Sequence, residues 1–143
     1  MIAIPKRISG RSGKEEGGQA LVEFALVAPI FLLVLFAIVD FGMAFNGWIT
    51  VTNAAREGAR LGTVGASATA IEQRVRDTAD TLDPNDLTVT VTNAQGDPGE
   101  SVVVTVQYDY SLMIPLAGLL SRVGGGAIPS TFNIDSTADM RLE

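Results

Sequence analysis

The sequence predicts an α+β protein: a long N-terminal transmembrane helix continues into an amphipathic helix, and a short helix and a three-stranded antiparallel sheet follow. Three observations support this prediction. An apolar run near the N-terminus is long enough to cross a bilayer, the residues after it repeat apolar side chains with a helical period, and the last third of the chain alternates apolar and polar residues. The predicted parts are a basic cytoplasmic leader at 1–18, the transmembrane helix at 19–45, its amphipathic extension at 46–65, and a small extracytoplasmic α+β domain at 66–143.

Composition excludes several classes of function. The chain has 143 residues, of which 10 are basic and 16 acidic, and a net charge of −6 argues against nucleic-acid binding, which needs a concentrated basic surface. It contains no cysteine and no histidine, so disulfides, thiolate zinc sites and the commonest general base are all missing. We find no phosphate-binding loop, no nucleophile with a base and no paired carboxylates. We therefore predict no enzyme, no metal, no cofactor and no small-molecule substrate.

The apolar run spans Ala20–Phe45 and contains only two charged residues, Glu23 and Asp40. A hydrocarbon core of about 30 Å needs about 20 helical residues, so the run predicts one membrane crossing. Four basic residues precede it, namely Lys6, Arg7, Arg11 and Lys14. This bias predicts that the N-terminus stays in the cytoplasm and that the C-terminal domain lies outside. The alternative is a cleaved secretory signal with a small-residue site near Gly42 and Ala44.

The two acidic residues of the run each have a structural and a functional interpretation. Glu23 is either an acid in the first turn of a helix, favoured by the helix dipole, or a group that a positive charge from another chain neutralises, such as a free amino terminus in a packed filament. The residues alone favour neither. For Asp40, near the outer interface, we favour a solvated helix residue.

Beyond the apolar run, apolar and small residues recur at spacings of three, four and seven, which predicts that the helix continues. They are Phe41, Phe45, Trp48, Thr52, Ala55, Ala59 and Gly62. We expect the helix to bend or break at Gly42 or Gly47. The small residues Ala55, Gly58, Ala59 and Gly62 let another backbone approach closely. That backbone belongs either to the protein's own sheet, which we favour, or to another subunit.

Arg56, Glu57 and Arg60 resemble an active site only superficially. Glu57 and Arg60 are three residues apart on the predicted helix, where such a pair contributes about 0.2–0.5 kcal/mol, and Arg56 is next to Glu57. We interpret them as a helix-surface ion pair.

The C-terminal domain shows one helical segment and three strands. Thr69-Ala70-Ile71-Glu72 is a candidate capping box that opens a short helix, which Asp83-Pro84 ends. Alternation predicts strands over Leu87–Thr92, Val102–Tyr110 and Phe132–Leu142, with a hairpin loop between the first two. Leu112–Leu120 is apolar but too short to span a bilayer, and we expect it to cover the sheet or to rest on neighbouring subunits.

Three motifs occur together in the N-terminal half. Gly18-Gln19-Ala20-Leu21-Val22-Glu23-Phe24 opens the apolar run, Asp40-Phe41-Gly42 ends it, and Asn53-Ala54-Ala55-Arg56-Glu57-Gly58-Ala59-Arg60 lies on the helix beyond. With these motifs the chain resembles the TadE-like pseudopilins, the TadE/TadG-like proteins of tight adherence pilus systems. The resemblance is densest over residues 17–62.

The resemblance implies that a prepilin peptidase cleaves between Gly18 and Gln19 and that the apolar helix is retained. Glu23 is then the fifth residue of the product and is followed by the aromatic Phe24, which implies a role for both in assembly. A minor pilin or assembly protein of the cytoplasmic membrane is implied, with other pilins as its partners. The alternative function is an unprocessed, signal-anchored extracytoplasmic domain that binds a soluble partner or ligand.

Overall fold

The computed structural model describes the backbone of residues 12–112 and 131–143, and the side chains of those residues from 18 onwards. The elements run in the order α1 (Ser12–Gly62), α2 (Ala68–Thr78), β1 (Leu87–Thr92), β2 (Ser101–Ser111) and β3 (Thr131–Arg141). They form two compact units, one ending at Ala37 and the other being Ile38–Glu143, which we call the C-terminal unit. The predicted fold class is confirmed. The predicted cover at 112–120 and most of the predicted leader lie outside the described residues.

Helix α1 is continuous from Ser12 to Gly62, with Pro29 inside it. The expected break at Gly42 or Gly47 is therefore absent. At Gly47 the helix packs against the sheet, since a methyl group added there would lie 3.7 Å from Cδ1 of Ile134 and 3.8 Å from the ring of Tyr108. Among the described residues, α1 is the one helix that is long and apolar enough to cross a membrane.

The sheet has the order β1-β2-β3, and both pairs of strands are antiparallel. Leu87 pairs with Tyr108 in the first ladder, and Ser101 pairs with Arg141 in the second. The side chains of β2 alternate, so that its valines at 102, 104 and 106 are fully buried on one face. The predicted hairpin and third strand are thus confirmed, and β2 is the central strand.

The N-cap of helix α2 lies two residues before the start of the predicted capping box. Ser67 is the N-cap, with extended dihedral angles (φ −67°, ψ 154°), and its hydroxyl accepts a hydrogen bond from the amide of Ala70 at 3.3 Å. Thr69 already lies inside the helix, so its side chain is not placed to cap the first free amide. The helix ends at Thr78, earlier than the Asp83-Pro84 turn. The capping-box prediction was wrong in position by two residues.

The core of the C-terminal unit lies where small residues of α1 meet α2 and β2. Ala54, Ala55 and Ala59 are fully buried. A methyl group added at Gly58 would lie 2.5 Å from Cγ2 of Val75 on α2 and 3.3 Å from Cγ1 of Val104 on β2. One added at Gly62 would lie 2.9 Å from both methyl carbons of Val102. The two glycines therefore set how closely the helix approaches the sheet.

Gly58→Ala is expected to destabilise the C-terminal unit by about 1–3 kcal/mol, because the added methyl overlaps Val75, whose branched side chain has few alternative rotamers. The measurement is urea unfolding of the detergent-solubilised full chain, followed by the fluorescence of Trp48. Gly42→Ala is the matched control, since nothing lies within 4 Å of its added methyl and the alanine favours helix. Equal stability of the two variants would contradict the close packing at Gly58.

Candidate functional site

The first candidate site is the surface of α1 between Gly18 and Val39. Nearly all of its large apolar side chains are exposed: Leu21, Val22, Phe24, Leu26, Val27, Ile30, Phe31, Leu32, Val34, Leu35, Phe36, Ile38 and Val39. Gly18, Gln19 and Glu23 are exposed as well, and within the described part of the chain no side chain bonds to Glu23. The predicted processing and assembly residues thus share one uncovered helix segment.

A helix surface of this kind is not stable in water. Monomeric soluble proteins rarely expose a contiguous apolar patch above a few hundred Å². The backbone hydrogen bonds of the helix are satisfied internally, so it can enter lipid or pack against other apolar helices. This segment is therefore suited to association with lipid or with other helices. Glu23 is the one charged side chain in its first turns, and it can bind a positively charged group.

The second candidate site is a buried carboxylate at the point where α1 meets the sheet. Asp40 is only 4 % exposed, and the hydroxyl of Tyr110 donates to its Oδ1 at 3.1 Å and to its main-chain oxygen at 3.3 Å. The prediction of a solvated Asp40 was wrong, because the end of β2 covers this turn of the helix. Burial, together with the hydrogen bond and the charge of Asp40, raises the pKa of Tyr110 to about 12.

The third candidate site is an ion-pair cluster centred on Glu57. The guanidinium of Arg60 donates to its carboxylate at 2.8 and 3.0 Å, and that of Arg74, on α2, donates to it at 2.6 and 3.1 Å. Hydrogen bonds from Arg60 and then from Arg74 lower the pKa of Glu57 to about 2. Arg56 is exposed beside this cluster and lines the same shallow groove as Asn53 and Arg60.

Sequence reasoning found Glu57 and Arg60 but missed Arg74. The spacing of three residues on one helix made the first pair visible. Arg74 is 17 residues from Glu57 in the chain, so its contribution depends on how α2 packs on α1, and no local pattern indicates it. The cluster joins α1 to α2.

The predicted packing residues of α1 all face their own unit. Ala55 and Ala59 are fully buried, and Gly58 and Gly62 contact α2 and β2 as described above. Of the two alternatives for these residues, the structure has the intramolecular one. Their surface is consequently occupied, whereas the segment before Asp40 and the side chains of Phe41, Phe45 and Trp48 are exposed.

A comparison with known families matches most of helix α1 from Gly18 onwards. Residues 18–60 match the family model described as TadE-like protein, which confirms the resemblance seen in the sequence. The match begins at Gly18, includes the uncovered segment and Asp40, and ends at Arg60 in the ion-pair cluster. The TadE-like family is pilus-related and structural rather than enzymatic. No curated protein and no solved structure shows a significant match to this chain.

Tyr110→Phe is expected to destabilise the C-terminal unit by about 1–3 kcal/mol, because it removes a hydrogen bond to a buried carboxylate. The folded-state pKa is raised from 10 to about 12, so the tyrosine contributes stability that is fully present below pH 10 and is lost as the pH rises through about 12. Urea unfolding of the full chain in detergent, repeated across this interval, measures both effects. Asp40→Asn is the control, since it keeps an acceptor but removes the charge. If Tyr110→Phe were as stable as the wild type, the stabilising role of this hydrogen bond would be contradicted.

The Glu57 cluster predicts a stability loss in acid. Because the folded-state pKa is lowered from 4.5 to about 2, the ion pairs contribute stability that is fully present above pH 4.5 and is lost as the pH falls through about 2. Glu57→Gln should therefore be less stable than the wild type at neutral pH and should lose less on acidification. Thermal unfolding across this interval measures the difference. Glu72→Gln, on α2 outside the cluster, should follow the wild type more closely; if it behaves like Glu57→Gln, the cluster is not the cause.

Proposed function

We propose that this chain, whose residues 18–60 carry a TadE-like segment, is a minor pilin or pseudopilin of a tight adherence pilus. Helix α1 anchors it in the cytoplasmic membrane, with the N-terminus in the cytoplasm and the C-terminal unit outside, and the protein acts by packing α1 against other pilins. The observation that carries the proposal is the uncovered apolar surface of α1, which starts directly after Gly18 and has Glu23 near its beginning.

Glu23 supplies the specificity that an apolar helix lacks. A carboxylate in a spanning helix costs about 2.5–3.5 kcal/mol at the bilayer centre and less towards the ends, so a partner of positive charge is favoured. Cleavage after Gly18 creates such a charge, the ammonium of Gln19, on every processed subunit. A neighbouring subunit that brings its ammonium to Glu23 is thereby fixed in register along the helix, whereas apolar contacts alone leave the register open.

The C-terminal unit restricts this packing to one part of the helix. Ala55, Gly58, Ala59 and Gly62 are engaged with α2 and β2, and the ion pairs of Glu57 link α1 to α2. The face of α1 that carries these residues is therefore committed to its own chain. The uncovered surface before Asp40 is available to other pilins, and the part of the C-terminal unit beyond the crossing segment lies outside the membrane.

The proposal is tested by intact mass and N-terminal sequencing of the membrane-extracted protein, expressed with and without its prepilin peptidase. We expect a peptidase-dependent product that starts at Gln19, because Gly18 is exposed on α1 with open space around it. Gly18→Val is the control and should remain uncut. In the same expression, Glu23→Ala should be cut but should no longer co-purify with other pilins.

Each other outcome points to a different protein. If the chain remains uncut and Glu23→Ala does not change its co-purification, the protein is an anchored domain that binds a soluble partner or ligand. A product that starts beyond Gly42 would mean a cleaved secretory signal and would exclude any role for α1 in a filament.

A further inference from the structure

An aromatic stripe follows directly on the apolar segment of α1. Phe41, Phe45 and Trp48 are at positions i, i+4 and i+7 and therefore share one face of the helix. They are 74, 52 and 47 % exposed, and the rings of Phe45 and Trp48 lie 5.7 Å apart. Exposed single aromatic residues are common, but three on one helix face, each about half exposed or more, form a patch that water does not favour.

A fourth aromatic residue, from the sheet, lies at the same level as the start of this stripe. Phe132 is 44 % exposed and pairs in register with Tyr110, whose hydroxyl bonds to Asp40. It is thus brought near the turn of α1 that precedes Phe41. Ile134, two residues further along β3, lines a shallow groove together with the stripe. The rim of this groove is polar, with Asn133 and Asp135.

We propose that the aromatic stripe and Phe132 lie at the outer surface of the lipid bilayer, so that the C-terminal unit rests on the membrane rather than standing clear of it. The inference rests on the proposed membrane crossing of α1. Lipid is the molecule that covers the stripe, because the stripe continues the apolar surface of the same helix that would cross the bilayer. Tryptophan is enriched at membrane–water interfaces, where its apolar ring and its polar N–H are both accommodated, and the phenylalanines add apolar surface beside it.

Helix length gives the depth of each residue. A hydrocarbon core needs about 20 helical residues, and counting from Phe24, directly after Glu23, places its outer edge near Met43. At 1.5 Å per residue, Trp48 then lies about 7.5 Å beyond that edge. The headgroup layer is about 5–7.5 Å thick on each side, so Phe45 and Trp48 fall within it and Phe41 just below it.

The same count explains why Asp40 is covered. It falls just inside the hydrocarbon edge, where an uncovered carboxylate is unfavourable. Tyr110 donates to it, and the end of β2 removes it from the surface. Asp40 is thus shielded by its own chain at the depth where lipid begins.

The test uses Trp48, the only tryptophan in the chain. The full-length protein is reconstituted at high lipid excess in vesicles of phosphatidylcholine and phosphatidylglycerol, and fluorescence is measured with lipids brominated near the top or near the end of the acyl chain. We expect partial loss of Trp48 fluorescence with the shallow bromines and none with the deep ones. Phe41→Trp in a Trp48→Phe background should be quenched at greater depth than Trp48.

Two single-tryptophan controls in the Trp48→Phe background separate the possible failures. Val34→Trp reports the crossing helix and should be quenched by the deep bromines, and Gln73→Trp on α2 should not be quenched. If Val34→Trp is quenched and Trp48 is not, the membrane crossing stands and this inference is overturned. If neither is quenched, the proposed anchoring fails and the inference fails with it. An unquenched Trp48 whose emission shifts to the red on lipid dilution would mean that a second copy, and not lipid, covers the stripe.

Discussion

The close approach of α1 to α2 and β2 at Gly58 and Gly62 is the constraint on which the rest of the C-terminal unit depends. With no side chain at these two positions, the helix backbone comes within contact of Val75 and Val102. That distance brings Arg74 within reach of Glu57. A larger residue at either glycine separates the helix from the sheet, and the loss then extends beyond one contact because interiors are close-packed.

Two carboxylates of α1 are stabilised in different ways, and both tie the helix to its own domain. Asp40 is buried and accepts a hydrogen bond from a neutral hydroxyl, whereas Glu57 is half-buried and accepts from two guanidinium groups. The first contact holds the end of β2 and the second holds α2. Between them they divide α1 into a segment that is uncovered and a segment that is engaged with its own chain, which is the arrangement that a helix-packing subunit requires.

This division connects the proposed function with the proposed membrane contact. The uncovered segment has an apolar surface for lipid or for neighbouring helices, and Glu23 gives it one polar point of recognition. The aromatic stripe lies where that segment ends, and its rings suit the boundary between hydrocarbon and water. In the proposed function, a subunit with this arrangement resides in the membrane before assembly, with its domain on the membrane surface. The same helix surface then contacts other subunits in the assembly.

Much of this architecture was predictable from the sequence, because it depends on local patterns. Apolar length indicated a helix that could span a membrane, alternation indicated the three strands, and the spacing of Glu57 and Arg60 indicated their pairing. The burial of Asp40 and the role of Arg74 were not predictable, since each depends on a contact with a residue distant in the chain. The packing of Tyr108 and Ile134 at Gly47 is a contact of the same kind. The sequence by itself determined which segments are helix, strand and membrane-compatible, and tertiary structure alone decided which surface of α1 is covered, because covering a surface requires two distant segments to meet.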